Sequence, residues 1–250
     1  MKNVSRGFAG LVATLILSVG LSAQTSAGRY DHDIQTKLSH QLSEKKQFHN
    51  VTSSVEDGIV TLKGSVDLYQ EKLDAAKRAR KTDKVQGVRN QIEVSSTAPD
   101  NQLTAKLDRK IYYDRIGYDN AYNYVQASVK DGVVTLSGLT RTPMSKDSAL
   151  AIASMTPGVK DIVDNVTVAP VSGFDDRIRL AATRAIYRDA VLGKYGSDPA
   201  LPIRIVVDNG KLSLYGTVES TMDKQIAGIR AGQVFGVFRV QNNLTVAGRS

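Results

Sequence analysis

The stretch Val129-Lys-Asp-Gly-Val-Val-Thr-Leu-Ser-Gly138 decides the fold. Apolar and polar residues alternate on both sides of Asp131-Gly132, the pattern of two half-buried strands joined by a two-residue turn. Both turn residues of such a hairpin need positive φ, which Asp, Asn and Gly tolerate best. The same pattern recurs as Val55-Glu-Asp-Gly-Ile-Val-Thr-Leu-Lys-Gly64 and as Val207-Asp-Asn-Gly-Lys-Leu-Ser-Leu-Tyr-Gly216, at offsets of 74 and 78 residues. Asp57-Gly58, Asp131-Gly132 and Asn209-Gly210 are therefore read as turns. Gly64, Gly138 and Gly216 close the second strands.

A second triplet follows each hairpin. Ile92-Glu-Val94, Val166-Thr-Val168 and Leu244-Thr-Val246 each end 37 residues after the first turn residue, so this half of the repeat carries no gap. Between the hairpin and this closing strand lies a helix whose small residues coincide in all copies: Ala75/Ala79, Ala149/Ala153 and Ala227/Ala231. Small residues at i, i+4 suit a helix pressed closely on a sheet. Thr142-Pro143 reads as an N-cap followed by Pro at the first helical position, and Ser220-Thr-Met-Asp223 as a capping box.

Upstream, each copy opens with an acidic residue and an apolar i, i+4, i+8 series: Ile34/Leu38/Leu42, Leu103/Leu107/Ile111 and Ile178/Ala182/Ile186. That spacing gives one stripe on a helix. The length differences between copies fall between this helix and the first strand, where a loop absorbs them cheaply. The order is α-β-β-α-β, three times over. The expected fold class is α+β: three tandem small domains, each a mixed three-stranded sheet with two helices on one face. The expected boundaries are 30–97, 100–170 and 174–248, joined by short linkers at 95–99 and 169–173.

The first residues read differently. Lys2 and Arg6 precede an apolar run from Leu11 to Val19, and small residues follow at Ser22-Ala23 and Ser26-Ala27. This is the grammar of a secretory signal peptide, residues 1–23, and the run is shorter than the ~20 residues that span a bilayer. Export to the periplasm is the expected localisation. The 250-residue chain carries a formal charge of +8 and no Cys, so disulfides, thiolate metal sites and a Cys nucleophile are excluded. Loss of residues 1–23 leaves +6, distributed as +2, 0 and +4 over residues 28–97, 98–171 and 172–250. A basic chain points to anionic partners; export points away from nucleic acid and toward phospholipid headgroups or envelope proteins.

Asp-Gly-Val-Val-Thr-Leu-Ser-Gly, then a helix, then Gly-Val and a closing Asn-Asn-Leu-Thr-Val resembles the BON (bacterial OsmY and nodulation) domain family. Repeat 1 departs from the pattern at Lys84, where the other copies have Gly158 and Gly236. The resemblance spans nearly all of the chain after the apolar leader. It implies an exported, non-enzymatic protein of the periplasm or envelope. It also implies a link to osmotic or envelope stress and binding to phospholipid surfaces or other envelope ligands.

Two segments stand out as candidate binding surfaces. Lys77, Arg78, Arg80, Lys81 and Lys84 cluster on the second helix of repeat 1, with Lys77, Lys81 and Lys84 on one face. Each basic residue near an anionic bilayer contributes about 1 kcal/mol. Tyr112, Tyr113, Tyr118, Tyr122 and Tyr124, five of the ten tyrosines, lie in the variable segment of repeat 2. Tyr113, Tyr118 and Tyr122 are candidates for a ligand or partner surface; the plainer reading packs these rings on their own domain. A peripheral protein with no cofactor and no metal follows. The alternative is a periplasmic holdase or protein-interaction module. His32, His40 and His49 have no counterparts in repeats 2 and 3 and no metal-site spacing. Gly193-Lys-Tyr-Gly196 has the form of a nucleotide-clamping loop but follows a helix and precedes a strand, so it is read as a helix end plus loop. No catalytic constellation is present.

Overall fold

The computed structural model describes residues 28–114, 122–169, 171–198 and 202–248. The expected signal segment and Tyr118 lie outside them. Three α+β units follow one another. In domain 1, α1 (Asp31–Ser43) precedes β1 (Val51–Glu56) and β2 (Ile59–Val66), then α2 (Tyr69–Lys81) and β3 (Gly87–Val94). Domain 2 repeats the order with α3 (Asp100–Tyr113), β4 (Tyr124–Lys130), β5 (Val133–Thr140), α4 (Pro143–Ser154) and β6 (Asp161–Val168). Domain 3 comprises α5 (Gly173–Tyr187), β7 (Arg204–Asp208), β8 (Lys211–Tyr215), β9 (Thr217–Val218), α6 (Thr221–Gly232), β10 (Arg239–Asn242) and β11 (Thr245–Val246).

In domains 1 and 2 the second strand is central, antiparallel to the first and parallel to the third. Domain 3 has the same sheet, with its central and third strands each broken in two: β10 pairs with β8 and β11 with β9, both parallel. The third strands of domains 1 and 2 are longer than the three-residue pattern suggested. They begin at Gly87 and Asp161: the apolar face continues through Val88 and Ile162 and is interrupted only by Asn90 and Asp164, while parallel pairing runs the whole length of the second strand. Each domain has its own core, built from the first-helix stripe, the alanines of the second helix and the inward strand residues. Ile34, Leu38 and Leu42 are all buried, as are their equivalents in α3 and α5.

The hairpin turns show why their residue types recur. Asp57, Asp131 and Asn209 have φ of 51°, 55° and 48°, and the glycines after them 77°, 80° and 74°. At each closing glycine there is no room for a side chain. A Cβ on Gly138 would lie 2.0 Å from the carbonyl oxygen of Tyr124, and Gly64 and Gly216 are placed alike. The acidic residue that opens each first helix grips the turn. Asp31 accepts the N–H groups of Asp57 and Gly58, both at 2.8 Å, and Asp100 those of Asp131 and Gly132 at 2.7 and 3.0 Å. A carboxylate at a helix N-terminus is also favoured by the helix dipole. One charge thus ties the first helix to the far end of the hairpin.

The third strand is pinned from the second helix. Asn90 donates its side-chain amide to the Lys72 carbonyl at 2.8 Å, and Asn242 to that of Lys224 at 2.6 Å. Domain 2 substitutes an ion pair: Asp164 meets Lys146 at 2.8 Å. Burial pushes the Asp164 carboxyl up, but hydrogen bonds from Lys146 and the Val166 N–H outweigh it and leave it below the usual range.

The domains touch. Tyr69 packs against the cores of domains 1 and 2, and Ser154 donates to the Gln70 side chain at 2.8 Å. Burial and the Asp161 carboxylate raise the Tyr69 phenol to about 12. Between domains 2 and 3, Tyr124 stacks on Tyr215 with centroids 4.8 Å apart, and Arg141 pairs with Asp176 at 2.8 Å. No helix among the described residues is long and apolar enough to cross a membrane.

Candidate functional site

The basic cluster of domain 1 divides into two sets, and because α2 ends at Lys81 the expectation that Lys84 shares a helix face with Lys77 and Lys81 is corrected: Lys84 lies in the turn beyond the helix. Arg78 is half-buried with its guanidinium 5.7 Å above the Phe48 ring, and the Lys84 ammonium sits 5.7 Å from the Tyr30 ring. Lys77, Arg80 and Lys81 project into solvent without a carboxylate partner among the described residues. Lys84 adopts φ 66°, the left-handed conformation that Gly158 (101°) and Gly236 (91°) hold in the other copies. This explains the departure of repeat 1 from the pattern: the backbone turn is kept and a lysine occupies it.

Two tyrosines of domain 2, Tyr112 and Tyr124, are taken up in packing against domain 3. Tyr112 lies under the Arg204 guanidinium at 4.2 Å, and Tyr122 under that of Arg141 at the same distance. Tyr124 is stacked on Tyr215; burial, then Tyr215 and Asp108, raise its phenol to about 12. Tyr113 is exposed and meets Tyr112 edge-on at 5.8 Å. Tyr122 thus packs on its own domain, as the plainer reading expected, whereas Tyr112 and Tyr124 are engaged by the neighbouring domain.

A different patch emerges on domain 3. The loop between α6 and β10 exposes Phe235 at 97% and Phe238 at 80%. The loop itself is not loose. Val234 is buried beneath it, the Val237 N–H donates to the Val234 carbonyl at 3.2 Å, and Phe238 N–H donates to the Gly210 carbonyl at 2.9 Å. Phe238 lies beside Phe174, with ring centroids 6.3 Å apart. The repeat offsets set Phe235 against Asp83 and Pro157, and Phe238 against Gln86 and Lys160. These outward positions need no aromatic side chain for the fold, since two of the three copies do without.

Cations flank Phe235. Arg184 on α5, Arg188 just past its end and Arg230 on α6 line, with Val234 and Phe235, a surface groove of about 480 Å³. Arg230 is held by Asp189 at 2.7 Å, while Arg184 and Arg188 are exposed and form no ion pair among the described residues. Charged hydrogen bonds to the Val191 N–H and to Arg230 hold the Asp189 carboxyl below its ordinary range. The three-copy comparison contained this signal: aromatic residues in one copy at positions that are polar or proline in the others.

The remaining motifs serve structure. Leu192–Ser197 is a short 3-10 helix; Tyr195 in it is buried, donates to Asp223 and accepts the Glu219 N–H at 2.7 Å. Lys194 bridges Glu219 and Asp223, whose carboxylates raise its ammonium above the ordinary lysine value. Among the described residues no group of three or more His, Asp or Glu is placed to hold a metal.

Comparison with known proteins agrees with the repeat. A curated protein of Anaplasma centrale, "Uncharacterized protein in gshII 5'region", is 28% identical over 144 residues, covering 54% of this chain and 93% of that protein. Among solved structures, CdsD, a structural protein of the type III secretion system of Chlamydia trachomatis, aligns over 86% of this chain and 94% of its own at 12% identity, with a TM-score of 0.25. The periplasmic domain of the type III secretion inner-membrane protein PrgH from S. typhimurium aligns over 84% of this chain and 99% of its own at 11% identity, with a TM-score of 0.21. Neither score carries a functional argument. The family model for the BON domain matches residues 30–96, 99–170 and 185–248, and the chain belongs to the BON domain family, with three copies in tandem.

Proposed function

We propose that this chain is an exported, peripheral, non-enzymatic protein of the cell envelope that binds anionic phospholipid surfaces, chiefly through domain 3. The observation that carries this reading is an anchored loop that exposes Phe235 and Phe238, with Arg184 and Arg188 beside Phe235 and in no ion pair among the described residues. Exposed apolar side chains beside unpaired cations match the two components of a membrane surface, acyl chain and phosphate. The solvated Lys77, Arg80 and Lys81 of domain 1 add a second electrostatic contact, and linked copies add avidity. BON domains are known to bind phospholipids, which supports the same reading. The basic opening and apolar run of residues 1–23 support export.

The alternative, a holdase or protein-interaction module acting through the tyrosine-rich segment, has less surface to work with. Tyr112 and Tyr124 are engaged between domains, and Tyr122 is covered by Arg141 of its own domain. The test is flotation of the protein with vesicles of phosphatidylglycerol or of phosphatidylcholine. Binding to the first, lost with Phe235→Ser/Phe238→Ser, is expected. No binding to phosphatidylglycerol at low salt, or equal binding by that variant, overturns the lipid reading. Suppression of client aggregation by a chain that ignores vesicles would favour the holdase.

A further inference from the structure

Domains 2 and 3 enclose a cleft of about 490 Å³ along their contact. Arg204, the first residue of β7, lies in its wall and is only 4% exposed. Its guanidinium is stacked over Tyr112, and its Nη1 has no hydrogen-bond partner. A buried guanidinium N–H without an acceptor is costly, because desolvation has removed the water that would otherwise receive it. Burial disfavours the charged form of Arg204, while Tyr112, Tyr187 and Asp198 favour it. Arg204 therefore sets positive charge in the wall of the cleft, with its unpartnered Nη1 itself closed off from solvent.

The other walls specify what else the occupant must carry. Asp108 accepts the Ala127 N–H at 3.2 Å through Oδ1 and has no second partner among the described residues, so its other oxygen can meet a hydroxyl donor. Tyr124 and Tyr215, stacked nearly parallel, offer an aromatic face to the C–H surface of a ring. Gln126 and Asn243 add amides that both donate and accept. One cation, one carboxylate, two amides and aromatic rings suit a ligand with a negative charge, several hydroxyls and an apolar ring face. A cleft of this size between domains is a usual place for a small ligand.

We propose that the cleft between domains 2 and 3 binds a sugar ring bearing a carboxylate or a phosphate, with Arg204 receiving the anion and Asp108 a hydroxyl. This site is independent of the membrane-facing loop of domain 3. Its presence would make the contact between domains 2 and 3 part of a binding site, not only a packing surface.

Isothermal titration calorimetry on the full chain tests it with four probes: glucuronate, glucose 6-phosphate, glucose and inorganic phosphate. Saturable binding of glucuronate or glucose 6-phosphate is expected, with glucose and inorganic phosphate at least about tenfold weaker, since each lacks one half of the recognition. Which of the two anions binds tells carboxylate from phosphate. Arg204→Met is expected to weaken binding at least about tenfold. Because Arg204 also holds Tyr112, a second variant, Thr217→Trp, fills the cleft from its exposed rim and leaves the arginine in place. A folded Thr217→Trp protein that no longer binds supports the site. No binding of either sugar anion overturns the proposal, as does unchanged binding by Thr217→Trp or by folded Arg204→Met. Inorganic phosphate binding as tightly as the sugars overturns it too.

Discussion

Asp175, in the first turn of α5, accepts the backbone N–H of Gly210 at 2.9 Å through Oδ1, and both residues are shut away from solvent. Its other oxygen takes the N–H of Asn209 at 3.0 Å. The equivalent carboxylates of domains 1 and 2 make the same pair of bonds nearer the surface. Asp175→Ala leaves two turn amides without an acceptor in a water-poor site, and a loss of about 2–3 kcal/mol in domain 3 is expected. Asp31→Ala and Asp100→Ala are expected to cost less, because water replaces the carboxylate. Urea unfolding combined with hydrogen exchange of the turn amides ranks the three; equal losses would contradict the burial argument.

The left-handed turn at Lys84 predicts an unusual order of substitutions. Lys84→Gly and Lys84→Ala both remove the ammonium and its contact with Tyr30, so their comparison isolates the backbone. Glycine is expected to be the more stable by about 1 kcal/mol, since alanine keeps the Cβ that disfavours positive φ. The thermal midpoint of domain 1 reads this directly.

Membrane binding by domain 3 should separate into two responses. Phe235→Ser and Phe238→Ser each remove an apolar side chain worth about 1.5–3 kcal/mol when buried, so each is expected to cut vesicle affinity about tenfold or more with the salt slope retained. Arg184→Gln/Arg188→Gln is expected to lower affinity mainly at low ionic strength and to flatten the salt dependence. Flotation across a salt series distinguishes the two. A steep slope in the arginine variant would transfer the electrostatic role to Lys77, Arg80 and Lys81.

Asp223 predicts acid sensitivity of domain 3. The Tyr195 hydroxyl first, then Lys194 and Ser220, hold its carboxyl below the ordinary range despite burial. A depressed folded value means that the folded state binds fewer protons than the unfolded chain. Its stabilisation is therefore full above the unfolded value of about 4 and is lost as pH falls through the folded value. Asp223→Asn is expected to lower the midpoint of domain 3 at neutral pH and to flatten its decline between about pH 5 and about pH 3. A variant that declines as steeply as the parent would assign the acid sensitivity to another carboxylate, with Asp189 the next to test.

Legibility differed by element. The hairpins were readable because positive φ restricts the turn residues to Asp, Asn and Gly, and because three copies repeat the restriction. The first helices and their stripes followed from spacing alone. The third strands are longer than their closing triplets because polar Asn90 and Asp164 interrupt the apolar face, and only pairing with the second strand carries the strand past them to Val88 and Ile162. Phe235 and Phe238 were visible only as letters: hydrophobicity predicts burial, and nothing local says that Val234 takes the interior position and leaves both rings outside.

The chain by itself determined the repeat, its element order, the mixed sheet and the family, because those rest on periodicity and turn chemistry that act within a few residues. Only the tertiary structure decided which side chains meet. Tyr112 and Arg204 are 92 positions apart, and their stacking depends on how two separately folded domains abut. The same holds for Arg184 and Arg188 beside Phe235, joined by the packing of α5 against α6. Contacts of that kind depend on the shapes of two finished surfaces, which no local pattern encodes.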